Sequence, residues 1–262
     1  MTNKDVFIGQ VCTFWNNRAE LGSWAGTRDI ILKKLEMQAI GQFVRDGMHI
    51  LDIGCGNGLT AIHLAKRYNA EVMGIDFAER MIGEAITMAS GQSLKGSLRF
   101  QTDDVCNLRD QTERFDLVYT ERTLINLPDW PTQEQAIRDI LRLVVRGGLY
   151  VMCEHSQDGL DQINALREKL GLHRITPPWH NRYFRDAQIK QSSFPGVNLE
   201  GPIEFSATYY FLSRVVNAWL AAQEGKDPDY EAPINQLALE LPSIGVLGQG
   251  KIWLWRKVNE AE

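Results

Sequence analysis

At 262 residues, 44% of them hydrophobic and 23% charged, the chain is long enough to bury a substantial core and has the makeup of an ordinary globular domain. A net charge of -5 with no lysine- or arginine-rich run argues against nucleic acid as a partner, because phosphate binding needs clustered positive charge. Cys12, Cys55, Cys106 and Cys153 stand far apart with no CxxC pair, which speaks against a zinc cluster or a disulfide framework and suits a reducing cytoplasm.

In chain order, a long helix is expected over residues 27–46, where Ile31, Leu35, Ile40, Phe43 and Val44 fall near helical spacing. Strand 49–53 follows, then a helix over 59–68 with Lys66 and Arg67 suited to its C-terminal end. Strand 71–77, helix 78–90, strand 98–104 and strand 115–121 come next. The helix over 132–144 has Thr132 placed to cap it, and strand 147–154 closes the alternation. Strands joined by helical crossovers imply a mostly parallel, doubly wound, Rossmann-like α/β sheet with helices on both faces.

Residues 156–262 carry a helix at 158–172, a polar and aromatic loop TPPWHNRYF, a helix around TYYFLSRVVNAWLAAQ and a closing strand KIWLWRKV. One domain over 1–262 is expected: an N-terminal helical cap segment (1–47), a ligand-binding core (48–155), and a C-terminal half (156–262) with a cap insertion near 206–250. The two cap segments should meet over the carboxyl edge of the sheet, lined by Trp15, Trp24, Tyr209 and Tyr210. No apolar run approaches membrane-spanning length, and MTNKDVFIGQ does not read as a signal peptide. A cytoplasmic protein without a membrane partner is expected; no pattern indicates its oligomeric state.

The stretch LDIGCGNG (51–58) ends a strand in a turn with glycine at 54, 56 and 58. Glycine permits left-handed backbone and lets a ligand approach the main chain closely, and such turns receive nucleotide-like ligands at the carboxyl end of the sheet. The dinucleotide pattern GxGxxG would place its third glycine where Leu59 stands. That departure counts against the main rival, a nicotinamide oxidoreductase. A GxGxG turn preceded by Asp52 suits a ligand with a charged amino-acid end and no pyrophosphate. Asp76, ending the second strand, can accept from both ribose hydroxyls of an adenosine; its loss should weaken ligand binding and leave stability nearly unchanged.

The sequence resembles the class I S-adenosylmethionine-dependent methyltransferases of small-molecule type. LDIGCGNG, GIDFAERM, TDDVCNL, FDLVYTERTLINLPD and LVVRGGLYVMCE match that family's successive motifs over roughly residues 48–155. The resemblance implies a seven-stranded sheet and S-adenosyl-L-methionine as cofactor. It implies that Gly54, Gly56 and Gly58 admit the methionine part, with Cys55 packed in the same turn, while Asp52 orients the ammonium and Asp76 holds the ribose. Phe77 and Met81 would lie against adenine, Asp104 and the Val105 amide would meet its polar edge, and the Glu121 carbonyl would face the ammonium.

A hydroxyl acceptor needs its proton removed as it is methylated. Candidate catalytic residues lie beyond strands four and five or in the cap: His155, His180 and Glu121, with Glu154 behind them. Histidine suits a general base near neutrality. Trp179, His180, Asn181 and Tyr183 of PPWHNRYF, with Tyr209, Tyr210 and Arg214, form the candidate acceptor site. Magnesium ligands look incomplete around Asp103 and Glu121, so no metal is expected. A small-molecule oxygen acceptor is the preferred reading. Nitrogen, carbon or macromolecular methylation and a non-catalytic cofactor-binding module are its alternatives, and TERTL replaces the NPPY-like motif of many base and glutamine methyltransferases.

Overall fold

The computed structural model describes residues 3–258; residues 1–2 and 259–262 of the expected domain lie outside the described part. Seven strands, β1 (His49–Ile53), β2 (Glu71–Asp76), β3 (Ser97–Thr102), β4 (Phe115–Glu121), β5 (Val144–His155), β6 (Val197–Ile203) and β7 (Gly250–Lys257), form one sheet in the order β3-β2-β1-β4-β5-β7-β6. The strands β1 to β5 pair in parallel, and β7 runs antiparallel to both β5 and β6. The fold is the mostly parallel Rossmann-like α/β sheet that the alternation predicts.

Side chains alternate across the sheet with period two. Leu51, Ile53, Met73, Ile75, Tyr150, Met152, Trp253 and Trp255 enter the core on one face. Ile50, Val72, Val151, Cys153, Ile252 and Leu254 enter the core on the other. Full burial of each large apolar group is worth about 1.5–3 kcal/mol, so the apolar run IWLW holds the antiparallel strand firmly on both faces.

Helices α1 (Asn3–Arg18) and α2 (Ile30–Gly41) precede the sheet. The periodicity over 27–46 yields a shorter helix because the Asp29 carboxylate accepts from Leu32 N at 3.0 Å and starts it there. Helix α1 escapes the sequence reading because Val11 is its one buried residue and no apolar stripe marks it. Helices α3 (Leu59–Arg67), α4 (Glu79–Ala89) and α5 (Trp130–Leu143) are the crossovers. Asp129, not Thr132, caps α5: its carboxylate accepts from Thr132 N at 2.9 Å and from the Thr132 hydroxyl at 2.6 Å.

After β5 come α6 (Gln157–Lys169) and α7 (Asp186–Gln191). Helix α8 (Ala207–Tyr210) then runs through a π-helical stretch (Phe211–Asn217) into α9 (Ala218–Gln223), with α10 (Pro233–Gln236) before β7. Neither α7 nor β6 carries a sequence signal: α7 is a turn and a half long, and β6 is an edge strand with four of its seven positions exposed. Among the described residues, no helix is long and apolar enough to cross a membrane.

Candidate functional site

Every parallel strand but the outermost ends at one cavity of about 730 Å³. Ile53 and Gly54 reach it from β1, Asp76 and Phe77 from β2, Glu121 and Arg122 from β4, and His155 from β5; Asp103 and Asp104 follow β3. Trp15 from α1, Asp29 and Lys33 from α2, Trp179 to Asn181 and Tyr183 from the proline-rich loop, and Tyr210, Arg214 and Gln249 complete the wall.

The glycine turn divides its labour. Gly54 is left-handed at φ 73°, and a Cβ there would meet Thr123 at 2.3 Å. A Cβ on Gly56 would meet nothing within 4 Å, so its backbone is open to an incoming ligand. Gly58 does not line the cavity; it starts α3 in the left-handed region, and a Cβ would strike Phe100 at 2.6 Å. It serves packing and not contact, which corrects its expected place.

Asp76 fixes this turn. One carboxylate oxygen accepts from Gly56 N at 2.9 Å and the other from Ala78 N at 2.8 Å. Burial nevertheless pushes its carboxyl up to about 6. Asp52 does not reach the cavity: it is buried against Tyr119 and cannot orient a ligand ammonium there. Burial raises its carboxyl to about 8. Phe77, Met81, Asp104 and Val105 all line the cavity, as does Cys55, whose thiol burial pushes well up. Asp104 also accepts from Cys106 N at 2.8 Å.

The three catalytic candidates reach the cavity in different states. Glu121 is engaged by Lys33 Nζ at 2.5 Å and the Thr60 hydroxyl at 2.5 Å, with Arg122 at 3.7 Å. Burial alone would raise its carboxyl, but Lys33 and Arg122 outweigh it and draw it down to about 2. A carboxylate held so firmly ionised is a poor base. His155 has a partner at each nitrogen, the Tyr210 hydroxyl at 3.3 Å and Gln249 Nε2 at 3.1 Å. Burial, then Arg122 and Arg214, hold it well below the usual histidine range. His180 packs against Phe14 and Trp15, burial with Arg18 and Arg182 lowers it to about 4, and its Nδ1 is buried without a hydrogen-bond partner.

Glu154 does not line the cavity. Its carboxylate accepts from the backbone N–H of Thr123 at 3.1 Å and Leu124 at 2.9 Å, which caps the turn after β4. Burial raises it to about 7. Tyr209 and Trp24 also fall outside the cavity: the Tyr209 hydroxyl donates to Asp29 at 2.5 Å, and Trp24 is 42% exposed. Among the described residues, no group of three or more histidines, cysteines or acids is placed to hold a metal.

Several lining residues carried no sequence signal. Arg122 adopts φ 55°, costly for a side chain with a Cβ, and its Nε reaches Glu36 at 3.0 Å. Lys33 lies 88 residues before its partner. Asp29 and Gln249 belong to no motif in the sequence. Only the folded topology brings these to the site.

Residues 50–148 match the profile of a methyltransferase domain family. The demethylmenaquinone methyltransferase of Lactobacillus johnsonii is 32% identical over 144 residues, 54% of this chain and 55% of that protein. The ubiquinone biosynthesis O-methyltransferase of Coxiella burnetii is 30% identical over 135 residues, 52% of this chain and 53% of that protein. Ajmaline N-methyltransferase of Rauvolfia serpentina is 29% identical over 107 residues, 41% of this chain and 36% of that protein. The chain thus spans about half the length, or less, of the curated relatives it matches. In fold it is similar to the cyclase SpnF, with a TM-score of 0.57 at 20% identity, covering 90% of this chain and 82% of that one. It is also similar to the magnesium protoporphyrin IX methyltransferase of Synechocystis, with a TM-score of 0.54 at 16% identity, covering 92% of this chain and 86% of that one.

Proposed function

We propose that this chain, which belongs to the class I S-adenosylmethionine-dependent methyltransferases, moves a methyl group from that cofactor to an oxygen of a small-molecule acceptor. The observation that carries the reading is the single cavity that joins the glycine turn and Asp76 to the aromatic cap.

The cofactor half fits the residues present. The open space over Gly56 admits a ligand to the backbone. Asp76 uses one lone pair on each oxygen for a backbone N–H and keeps the others for two ribose hydroxyls. Phe77 and Met81 supply apolar surface for adenine, Asp104 an acceptor for its amino group and Val105 its backbone N–H. When bound, the cofactor supplies a methyl group already activated on a sulfonium.

The protein's own contribution is then placement and exclusion of water. Trp15 and Trp179 wall the cavity opposite the sheet, and Tyr183, Tyr210 and Arg214 face the acceptor side. His180 is the base in this reading: it lines the cavity, and its Nδ1, unlike either nitrogen of His155, has no hydrogen-bond partner. Glu121 holds Lys33 and Thr60 in place. The name of the Coxiella relative supports oxygen as the acceptor atom; the Rauvolfia relative, named for N-methylation, keeps nitrogen as the competing outcome.

Calorimetry with S-adenosylhomocysteine and NAD tests the cofactor. Binding of the adenosyl ligand alone is expected, and tight NAD binding with no response to it would overturn the reading. Mass spectrometry of acceptor products formed with a methyl-labelled cofactor then separates O- from N-methylation.

A further inference from the structure

On the acceptor side of the cavity, Gln249, His155 and Tyr210 form a directional series of hydrogen bonds. An amide nitrogen only donates, so Gln249 Nε2 donates to His155 Nδ1 across 3.1 Å. The ring proton of the neutral imidazole therefore sits on Nε2, which donates to the Tyr210 oxygen across 3.3 Å. The Tyr210 O–H must then point away from His155. Tyr210 lines the cavity, and among the described residues its hydroxyl has no hydrogen-bond partner besides His155.

Two guanidiniums stand near this hydroxyl on the cavity wall. The Arg214 guanidinium lies 5.4 Å from the centre of the Tyr210 ring and pairs with Asp29 at 2.6 Å. Lys33 pairs with Glu121 at 2.5 Å. Arg122 pairs with Glu36, but burial raises the Glu36 carboxyl well above its usual range, against the pull of Arg122. Arg122, Arg214 and the Tyr210 hydroxyl thus share one wall of the cavity.

We infer that the Tyr210 hydroxyl, with Arg122 and Arg214 beside it, recognises a carboxylate on the methyl acceptor, and that His155 is a positioning residue that aims this hydroxyl. The inference rests on the methyltransferase reading for the word acceptor, and on the geometry for the carboxylate. A carboxylate can accept from the hydroxyl and draw on the neighbouring guanidiniums at the same time. A carboxylate anchored there is a handle, separate from the atom that is methylated.

The test uses protein saturated with S-adenosylhomocysteine, so that the cofactor's own carboxylate is already seated. Benzoate, phenylacetate and indole-3-acetate are titrated against their primary amides. At least one carboxylate is expected to bind about tenfold or more tighter than its amide, the scale of a hydrogen bond to a charged group. Tyr210→Phe should erase most of that preference while leaving S-adenosylhomocysteine affinity unchanged. Nitrogen-15 spectra should show His155 protonated at Nε2 and bare at Nδ1, a readout that a merely structural ring would not require. A panel with no carboxylate preference, a preference untouched in Tyr210→Phe, or a protonated Nδ1 overturns the inference. Failure of S-adenosylhomocysteine to bind would instead strike the methyltransferase reading.

Discussion

Asp29 and Arg214 stand 185 residues apart in the chain and 2.6 Å apart in the structure. The same Asp29 carboxylate caps α2 through Leu32 N and accepts from the Tyr209 hydroxyl. One buried acid therefore joins the N-terminal wall of the cavity to the helix that carries Tyr210. Breaking a buried pair leaves an uncompensated charge, which costs about 3–5 kcal/mol. Asp29→Ala is expected to lose that much in urea unfolding, with acceptor-side binding weakened alongside. A variant as stable as the parent would show that the two walls are held by other contacts.

Asp76 has two duties that predict two losses. Its removal should weaken S-adenosylhomocysteine binding by about 1.5–3 kcal/mol, the scale of hydrogen bonds to a charged group. The sequence alone suggests that stability would be spared. The structure adds the bonds from Gly56 N and Ala78 N, so Asp76→Ala should also destabilise the free protein, by about 1–3 kcal/mol. Because burial puts this carboxyl at about 6, affinity should rise as pH climbs through 6 and then level off. Calorimetry across that range checks it, and Asp76→Asn should flatten the step.

The glycine turn, the parallel alternation and Asp76 were legible because each is a local pattern with one physical meaning. Asp52 misled for the same reason: an acid before the turn reads as a ligand contact, but alternation along β1 sends it to Tyr119, away from the cavity. Gly58 likewise answers to Phe100 across the sheet, a neighbour that the local spacing does not reveal. Lys33, Arg122 and Gln249 became site residues only through contacts between distant segments. The aromatic pair at 209–210 shows the limit of a stripe argument: neighbouring tyrosines on one helix point apart, one to Asp29 and one to His155.

Asp52 and Glu154 give the folded protein an unusual pH dependence. Both have carboxyls raised by burial, to about 8 and about 7. A raised folded-state value means that the folded state binds more protons than the unfolded state between the two pKa values. Their contribution is thus fully present below about pH 4 and is lost as pH rises through 7 and 8. Glu121 works in the opposite sense, its stabilisation being lost only as pH falls toward 2. Urea titrations should show stability declining from pH 5 to pH 8.5. Asp52→Asn should reduce that slope, and an unchanged slope would mean that Asp52 is not a source of it.

The pH–rate profile decides which histidine acts. A base near its ordinary value would make the rate climb between pH 6 and 7.5 and then level off. His155 is held well below that range, and both its nitrogens are engaged. His180 sits at about 4 with Nδ1 free, so it is already the neutral imidazole throughout the neutral range. The rate with a hydroxyl acceptor should therefore be flat in histidine ionisation from pH 6 to 8 and fall only as pH drops through about 4. His180→Ala should cut kcat by ~10²–10⁴ with S-adenosylhomocysteine affinity intact, whereas His155→Gln should raise the acceptor KM more than it lowers kcat. A climb centred between pH 6 and 7.5 that survives in His180→Ala would place the base elsewhere or give the ionisation to the acceptor itself.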